Sequence, residues 1–301
     1  MRAPAFRLRT LRVGVTGARG RVGSALVDEL RRRGAEVIAW SRPDYDLDDP
    51  KSAALVVRRD RPALVYHAAA WTDVDGGARD PQLAMRRNGL ATAEMARACV
   101  DIGADLVYVS TNEVFNGDRS DGRGYAEDDE TDPPNSYGLS KARGEAAVRG
   151  AFTGAAAKSW IVRTSWVFGP PGNDFPARIV AAADTLPPEK PLRVVGDEVG
   201  RPTSARDLAQ ALVVLPEAGP PGTYHLTNGG HASRLEWARQ VINRCRPGVA
   251  IEEIKLADRP RPSRPPKWAV LDTSRAERVG VQLRPWSEAL ADYLDGVCPD
   301  P

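Results

Sequence analysis

Residues 11–23 read LRVGVTGARGRVG. The first half is a short, valine-rich apolar run, the pattern of a strand buried in a parallel sheet. The second half spaces Gly17, Gly20 and Gly23 three residues apart and leads into Val22–Arg33, whose apolar residues recur at helical spacing. Strand, glycine turn and helix, in that order, make a cradle for a pyrophosphate. A side chain in the turn would keep a phosphate away from the backbone. The helix N-terminus offers free N–H donors and the positive end of its dipole. Glycine triplets also occur in plain strand-to-helix turns, so the weight lies in the position of this one, between a first strand and a first helix.

The pattern repeats outward from this unit. Glu36–Trp40, Ala63–His67, Ala104–Ser110 and Ser159–Thr164 read as further strands. Ala53–Arg59, Pro81–Val100 and Tyr137–Val148 read as helices between them. Strands alternating with helices predict an α/β fold of the Rossmann type, a doubly wound parallel sheet with helices on both faces. After Gly169 the character changes, with Pro170-Pro171, Pro187-Pro188, Pro220-Pro221 and a proline-rich run from Arg259 to Pro266. Helical patterns persist at Ala205–Leu215, Ser233–Cys245 and Trp286–Leu294. The expected division is a cofactor-binding domain over 1–168 with part of 195–230, and a smaller, loop-rich, interleaved substrate lobe over 169–301. The Arg259–Lys267 segment reads either as an extended polyproline-type linker or as an ordered arm near the pocket.

Composition narrows the function. Lys plus Arg total 42 against 40 Asp plus Glu, a net charge of +2. That balance leaves no concentrated basic face for nucleic acid. Arg7, Arg9 and Arg12 read as a short solvated arm. No apolar run is long enough to cross a membrane, and the N-terminus lacks a signal-peptide core, so a cytoplasmic enzyme is expected. Cys99, Cys245 and Cys298 are far apart and read as reduced thiols. His67, His225 and His231 lack metal-ligand spacing, and no metal is expected.

The end of the second strand bears on the choice of dinucleotide. NAD binders place an acid there for the ribose hydroxyls. Here the strand ends in Ser41-Arg42, a hydroxyl and a guanidinium suited to a 2′-phosphate, which favours NADPH. Asp44 stands within reach of a ribose. Asp46 and Leu47 read as flanking the adenine, with an Asx-turn as the other reading of Asp46. Arg19, Arg21 and Val22 belong to the cradle itself.

Two segments carry the chemistry. Ser110-Thr111 closes the fourth strand, and Tyr137 and Lys141 stand at i and i+4, on one helix face. Tyr137 would donate a proton to a carbonyl oxygen as hydride reaches the carbon. Lys141 would hold the nicotinamide ribose and draw the Tyr137 ionisation toward neutral pH. Thr111 would polarise the same carbonyl, with Ser110 as the alternative. Tyr-x-x-x-Lys alone is common on surface helices. Its weight here comes from the glycine turn and the strand-end hydroxyls.

These motifs together resemble the dTDP-4-dehydrorhamnose reductase family, within the extended short-chain dehydrogenases, over nearly the whole chain. The likeness rests on TGARGRVG (Thr16–Gly23), HAAAWTDVD (His67–Asp75), STNEVFNG (Ser110–Gly117), PNSYGLSKARGE (Pro134–Glu145), RTSWVF (Arg163–Phe168) and GRPT (Gly200–Thr203). Arg261–Asp272 and Leu283–Trp286 fit the C-terminal lobe. The resemblance implies NADPH-dependent reduction of the 4-keto group of a dTDP-4-keto-6-deoxyhexose, to dTDP-L-rhamnose or a close deoxysugar, and is compatible with a homodimer. It places Ala68, Ala69 and Ala70 against the cofactor and Thr72 near the nicotinamide ribose. Val74 would line the sugar pocket, Trp166 would pack on substrate, and Arg201 and Thr203 would lie near the nucleotide. The alanines and Trp166 also read as ordinary core residues. The chain departs from the family where Asn112 and Glu113 replace the usual Asp-Tyr, and where His67 replaces an Asn. A NAD-recycling epimerase or dehydratase and a silent NADP-binding subunit are the competing readings.

Overall fold

The computed structural model describes residues 11–187 and 189–298. The chain runs β1 (Arg12–Thr16), α1 (Arg21–Arg32), β2 (Glu36–Trp40), α2 (Ser52–Asp60), β3 (Leu64–His67), α3 (Val74–Arg79), α4 (Pro81–Ala84), α5 (Ala91–Ile102), β4 (Asp105–Thr111), α6 (Ser136–Phe152) and β5 (Ser159–Thr164). It continues β6 (Val167–Phe168), α7 (Phe175–Asp184), β7 (Leu192–Val195), β8 (Val199–Gly200), β9 (Thr203–Ser204), α8 (Ala205–Ala218) and β10 (Gly222–His225). Last come β11 (Ala232–Ser233), α9 (Arg234–Cys245), β12 (Ile251–Ile254), α10 (Ser274–Arg278) and α11 (Trp286–Val297).

Six of these strands form one parallel sheet in the order β2-β1-β3-β4-β5-β10. The α/β reading therefore holds. Alternate strand residues face opposite sides. Val13, Val15, Leu64 and Tyr66 pack with Leu26 and Leu30 of α1 and Leu208 and Leu212 of α8. Val65, Leu106 and Tyr108 pack on the other face with Val57 of α2, Met95 of α5 and Val148 of α6. A separate core gathers Phe168, Ile179, Trp237, Val241 and Leu290 from the C-terminal elements. The strand order reverses between β1 and β3, so the glycine turn opens into the crevice there.

The first five strands, α1 and α2 start and stop within one residue of the expected bounds, while α6 runs on to Phe152 and α3 had no expected counterpart. The long helix expected over Pro81–Val100 is broken. A π-helical turn, Met85–Leu90, separates α4 from α5. It turns Asn88 inward, where its side chain bonds both backbone polar groups of Trp71 (2.8 and 3.0 Å) and Ser140 Oγ (3.1 Å). β10, the outer strand of the sheet, and α7 are additions beyond the expected elements. The Arg259–Lys267 segment is an ordered arm: Asp75 accepts from Arg261 Nε (3.0 Å) and the Ser263 N–H (3.1 Å). Arg7 and Arg9 lie outside the described residues, while Arg12 heads β1 and pairs with Glu36 at 2.8 Å. No helix among the described residues is long and apolar enough to cross a membrane.

The cysteine reading needs correction. Cys99 is free and buried, but Cys245 and Cys298 form a disulfide. Their separation of 53 residues concealed the pairing, because α9 and α11 bring their C-terminal ends together on one core. Alkylation of purified, air-exposed protein in denaturant without reductant is expected to spare Cys245 and Cys298 and label Cys99 alone. Prior reduction exposes all three. Cys298→Ser is expected to lower unfolding stability by about 2–4 kcal/mol, the scale for opening a loop of this size. Unchanged stability together with three reactive thiols would remove the bridge.

Candidate active site

The glycine turn is shaped by contact. Gly17 has φ 65°, in the left-handed region, and a Cβ there would lie 2.9 Å from the Ala69 backbone. A Cβ on Gly23 would lie 2.1 Å from the Gly17 carbonyl oxygen. The N-cap of α1, Gly20, makes no side-chain capping bond, so the first N–H groups of the helix stay open. Ala69 N–H donates to Thr16 Oγ1 (3.1 Å), which also bonds His67 Nδ1 (2.8 Å). His67 Nε2 meets Thr92 Oγ1 at 3.1 Å. Burial, with the nearby Lys141 charge, pushes the His67 pKa down to about 3, so the ring is neutral and ties the ends of β1 and β3 to α5.

A cleft of about 690 Å³ runs from this turn across the strand ends. Gly17, Arg19, Gly20, Arg21, Val22 and Gly23 line one end, with Ser41, Arg42, Asp46 and Leu47 from the end of β2. Ala68, Ala69, Ala70 and Thr72 line its middle. Arg19 and Arg42 make no hydrogen bond or salt bridge with another described residue. Asp44 is turned away and pairs with Arg59 at 3.4 Å. Asp46 accepts the Asp48 N–H at 3.0 Å, which is the Asx-turn, and still faces the cleft.

The reacting end gathers Thr111, Tyr137 and Lys141. Asn135 caps α6 by accepting the Gly138 N–H (2.8 Å), which orients the first turn carrying Tyr137. Tyr137 lines the cleft beside Thr111, whose hydroxyl donates to Asn112 Oδ1 at 3.3 Å. Lys141 is 2% exposed, donates to the Val109 carbonyl (2.7 Å) and sits 4.2 Å over the Tyr108 ring. Burial pulls its pKa down to about 7, partly opposed by Glu145. The expectation that Lys141 lowers the Tyr137 ionisation is corrected here. Burial first, then the Glu113 charge, push the Tyr137 hydroxyl well up, against an opposing pull from Thr111. The phenol therefore stays protonated, the form a proton donor needs.

Ser110 also lines the cleft, but its hydroxyl donates to Glu145 Oε1 at 2.6 Å and is not free for a carbonyl. Glu145 in turn takes both arms of the buried Arg163 (2.9 and 2.8 Å). Burial works to raise the Glu145 pKa, and these bonds hold it below the usual carboxylate range.

Beyond the reacting end, Val74, Asn112, Glu113 and Trp166 continue the cleft wall. Asn112 is 3% exposed and donates to the Ala269 carbonyl at 3.3 Å. Trp166 has a left-handed φ of 46° and stacks on Trp237, 5.8 Å between centroids. The Arg234 guanidinium lies 3.6 Å from the Trp166 ring centroid and bonds Glu198 at 2.9 Å. Trp166 is thus both a packed aromatic and a wall residue. Arg201 and Thr203 do not reach the cleft. Thr203 is fully buried and donates to the Arg201 carbonyl (3.2 Å), which also receives the Ser165 hydroxyl (2.6 Å). They back the wall rather than form it.

Sequence reading missed Phe175, Arg178, Arg234 and Trp237, all on the cleft. The capping box of Ser233 and Glu236 marked the start of α9, but nothing local marked which face of that helix meets the site.

The family described as RmlD substrate binding domain matches residues 11–298. A dTDP-4-dehydrorhamnose reductase of Streptomyces griseus is 38% identical over 94% of this chain and 93% of its own. The spore coat polysaccharide biosynthesis protein SpsK of Bacillus subtilis is 35% identical over 94% and 96%. Among solved structures, a Bacillus anthracis dTDP-4-dehydrorhamnose reductase in complex with NADP superposes with a TM-score of 0.87 at 30% identity, covering 95% of this chain and 99% of that one. With its matched length, fold and strand-end hydroxyls, the chain belongs to the dTDP-4-dehydrorhamnose reductase family.

Proposed function

We propose that this protein reduces the 4-keto group of a dTDP-4-keto-6-deoxyhexose with NADPH, dTDP-4-dehydrorhamnose or a close analogue being the substrate. The observation that carries the reading is one continuous cleft, with a phosphate cradle at one end and Thr111, Tyr137 and Lys141 at the other. The residues fit the cofactor. The turn has no room for a Cβ at Gly17 or Gly23, and the uncommitted guanidinium of Arg42 stands where a 2′-phosphate would lie. Of the acids at the end of β2, Asp44 is paired with Arg59, and Asp46 faces the cleft with one oxygen accepting the Asp48 N–H. The Arg42 guanidinium beside them favours a 2′-phosphate over the NAD of an enzyme that recycles it.

When bound, NADPH would supply the hydride. Thr111 and Tyr137 hydrogen-bond the carbonyl oxygen, and the protonated Tyr137 gives up its proton as negative charge develops there. Lys141, fixed by the Val109 carbonyl and the Glu145 charge, would hold the nicotinamide ribose. Arg178 and Arg234, with the Trp166 and Trp237 rings, form the wall suited to the nucleoside diphosphate of the substrate. Consumption of NADPH and a nucleotide sugar supports a cytoplasmic location.

Tyr137→Phe is expected to lower kcat about 10²–10⁴-fold while leaving NADPH affinity unchanged. An absorbance assay at the NADPH band with a dTDP-4-keto-6-deoxysugar reads the first, and fluorescence titration the second. Full activity in the variant removes Tyr137 as donor. Arg42→Ala is expected to raise the NADPH KM roughly tenfold or more and to leave that for NADH nearly unchanged. Equal effects on both would move the 2′-phosphate elsewhere. The Lys141 ammonium is the working form and its pKa is lowered to about 7, so kcat/KM is expected to fall as pH rises through that value.

A further inference from the structure

Glu113 is built into the site. Its backbone is locked to the reacting group: a Cβ at Gly138, the residue after Tyr137, would lie 2.0 Å from the Glu113 carbonyl oxygen. Its N–H donates to Thr111 Oγ1 at 3.2 Å. The carboxylate is held on one side only. Oε2 accepts from Asn135 Nδ2 at 2.7 Å, and Asn135 spends its remaining bonds on the Gly138 N–H (2.8 Å) and the Arg264 carbonyl (3.1 Å). Oε1 has no hydrogen-bond partner among the described residues, and Glu113 lines the cleft beside Thr111 and Tyr137.

An acceptor fixed next to the carbonyl-binding pair faces a carbon flanking the carbonyl. In a 4-keto-6-deoxyhexose, one flanking carbon, C3, carries a hydroxyl. The other, C5, carries a methyl group and the ring oxygen, neither of which donates a hydrogen bond. A carboxylate oxygen placed against the C5 side would stay unpaired, at a cost. Against the C3 side it gains a charge-assisted bond. We propose that Glu113 is the sugar-selecting residue of this enzyme: its Oε1 accepts the C3 hydroxyl, so the substrate class is a 4-keto-6-deoxyhexose with a free 3-hydroxyl. This rests on the reductase reading above.

The surroundings make the residue pH-sensitive. Burial raises the Glu113 pKa to about 7, with Glu198 also raising it and the Asn135 hydrogen bond, Arg234 and Arg261 lowering it. Tyr137 on α6 faces it as well. The acceptor form is the carboxylate, so binding of the 3-hydroxyl strengthens as pH rises through about 7. This limb rises where the Lys141 limb falls, which gives a narrow optimum.

The test compares a dTDP-4-keto-6-deoxyhexose with its 3-deoxy counterpart, in wild type, Glu113→Gln and Glu113→Ala, with thermal melts to confirm folding. Wild type is expected to prefer the 3-hydroxy sugar on the order of 10²-fold in kcat/KM. Glu113→Gln keeps the shape without the charge and is expected to narrow the preference to about tenfold. Glu113→Ala is expected to abolish it, chiefly through KM. Glu113→Gln is also expected to lose the rising pH limb and keep the falling one. Equal kcat/KM for the two sugars in wild type overturns the assignment while leaving the reductase reading intact. Oxidation of NADPH with neither sugar overturns the reading on which it rests.

Discussion

The backbones of Gly17 and Ala69 approach so closely that a single added carbon between them would clash. That contact joins the end of β1 to the end of β3 at the point where the strand order reverses. It sets the depth of the crevice, because the glycine turn rests on the alanine stretch without side chains between. The Thr16–His67–Thr92 chain supports the contact from behind with two short hydrogen bonds. A histidine here would be a liability if charged. Full burial beside Lys141 keeps it neutral, so it serves as a polar brace.

From that crevice outward the site depends on buried charges held in fixed company. Lys141, Glu145 and Arg163 are all nearly inaccessible, and each would be costly alone. Together they form a connected set: Arg163 neutralises Glu145, Ser110 completes its hydrogen bonds, and Glu145 offsets part of the Lys141 desolvation. The set lies beneath the reacting surface, on β4, β5 and α6. Within it, Glu145, which does not line the cleft, works against the burial that lowers the Lys141 pKa. The price of this arrangement is a lysine whose charge is sensitive near neutral pH.

How much of this was legible in the sequence divides along one physical line. The glycine turn, the Ser-Thr strand end and the Tyr–Lys pair were readable because each does its work with neighbours in sequence. Strand ends, helix starts and i,i+4 faces are local facts. What was not readable depends on tertiary contact. The π-helical turn at Met85–Leu90 has nearly the apolar spacing of an α-helix, and only the inward Asn88 reveals it. Asp44 looked available for a ribose until Arg59 was seen to hold it. Arg201 and Thr203 were placed by motif near the nucleotide, yet the Arg201 side chain donates to Thr273 Oγ1 and Thr203 to the Arg201 carbonyl, behind the wall. Arg178, Arg234 and Trp237 come from helices whose orientation no local signal reports. The Cys245–Cys298 bridge is the same case, a pairing made by helix packing alone.

The same line separates chemistry from selectivity. Thr111, Tyr137 and Lys141 sit on β4 and α6, backed by the sheet on one side and the buried charge set on the other. A change there would disturb both support and reaction. Glu113 occupies the short turn just beyond β4, and its side chain is braced by Asn135, which also holds the arm through the Arg264 carbonyl. The arm is fixed separately by Asp75 on α3. A side chain in that turn can change while β4 and Lys141 keep their own contacts. Sugar preference can therefore change while the hydride-transfer machinery stays the same, and the departure at Glu113 falls where the fold can accommodate one.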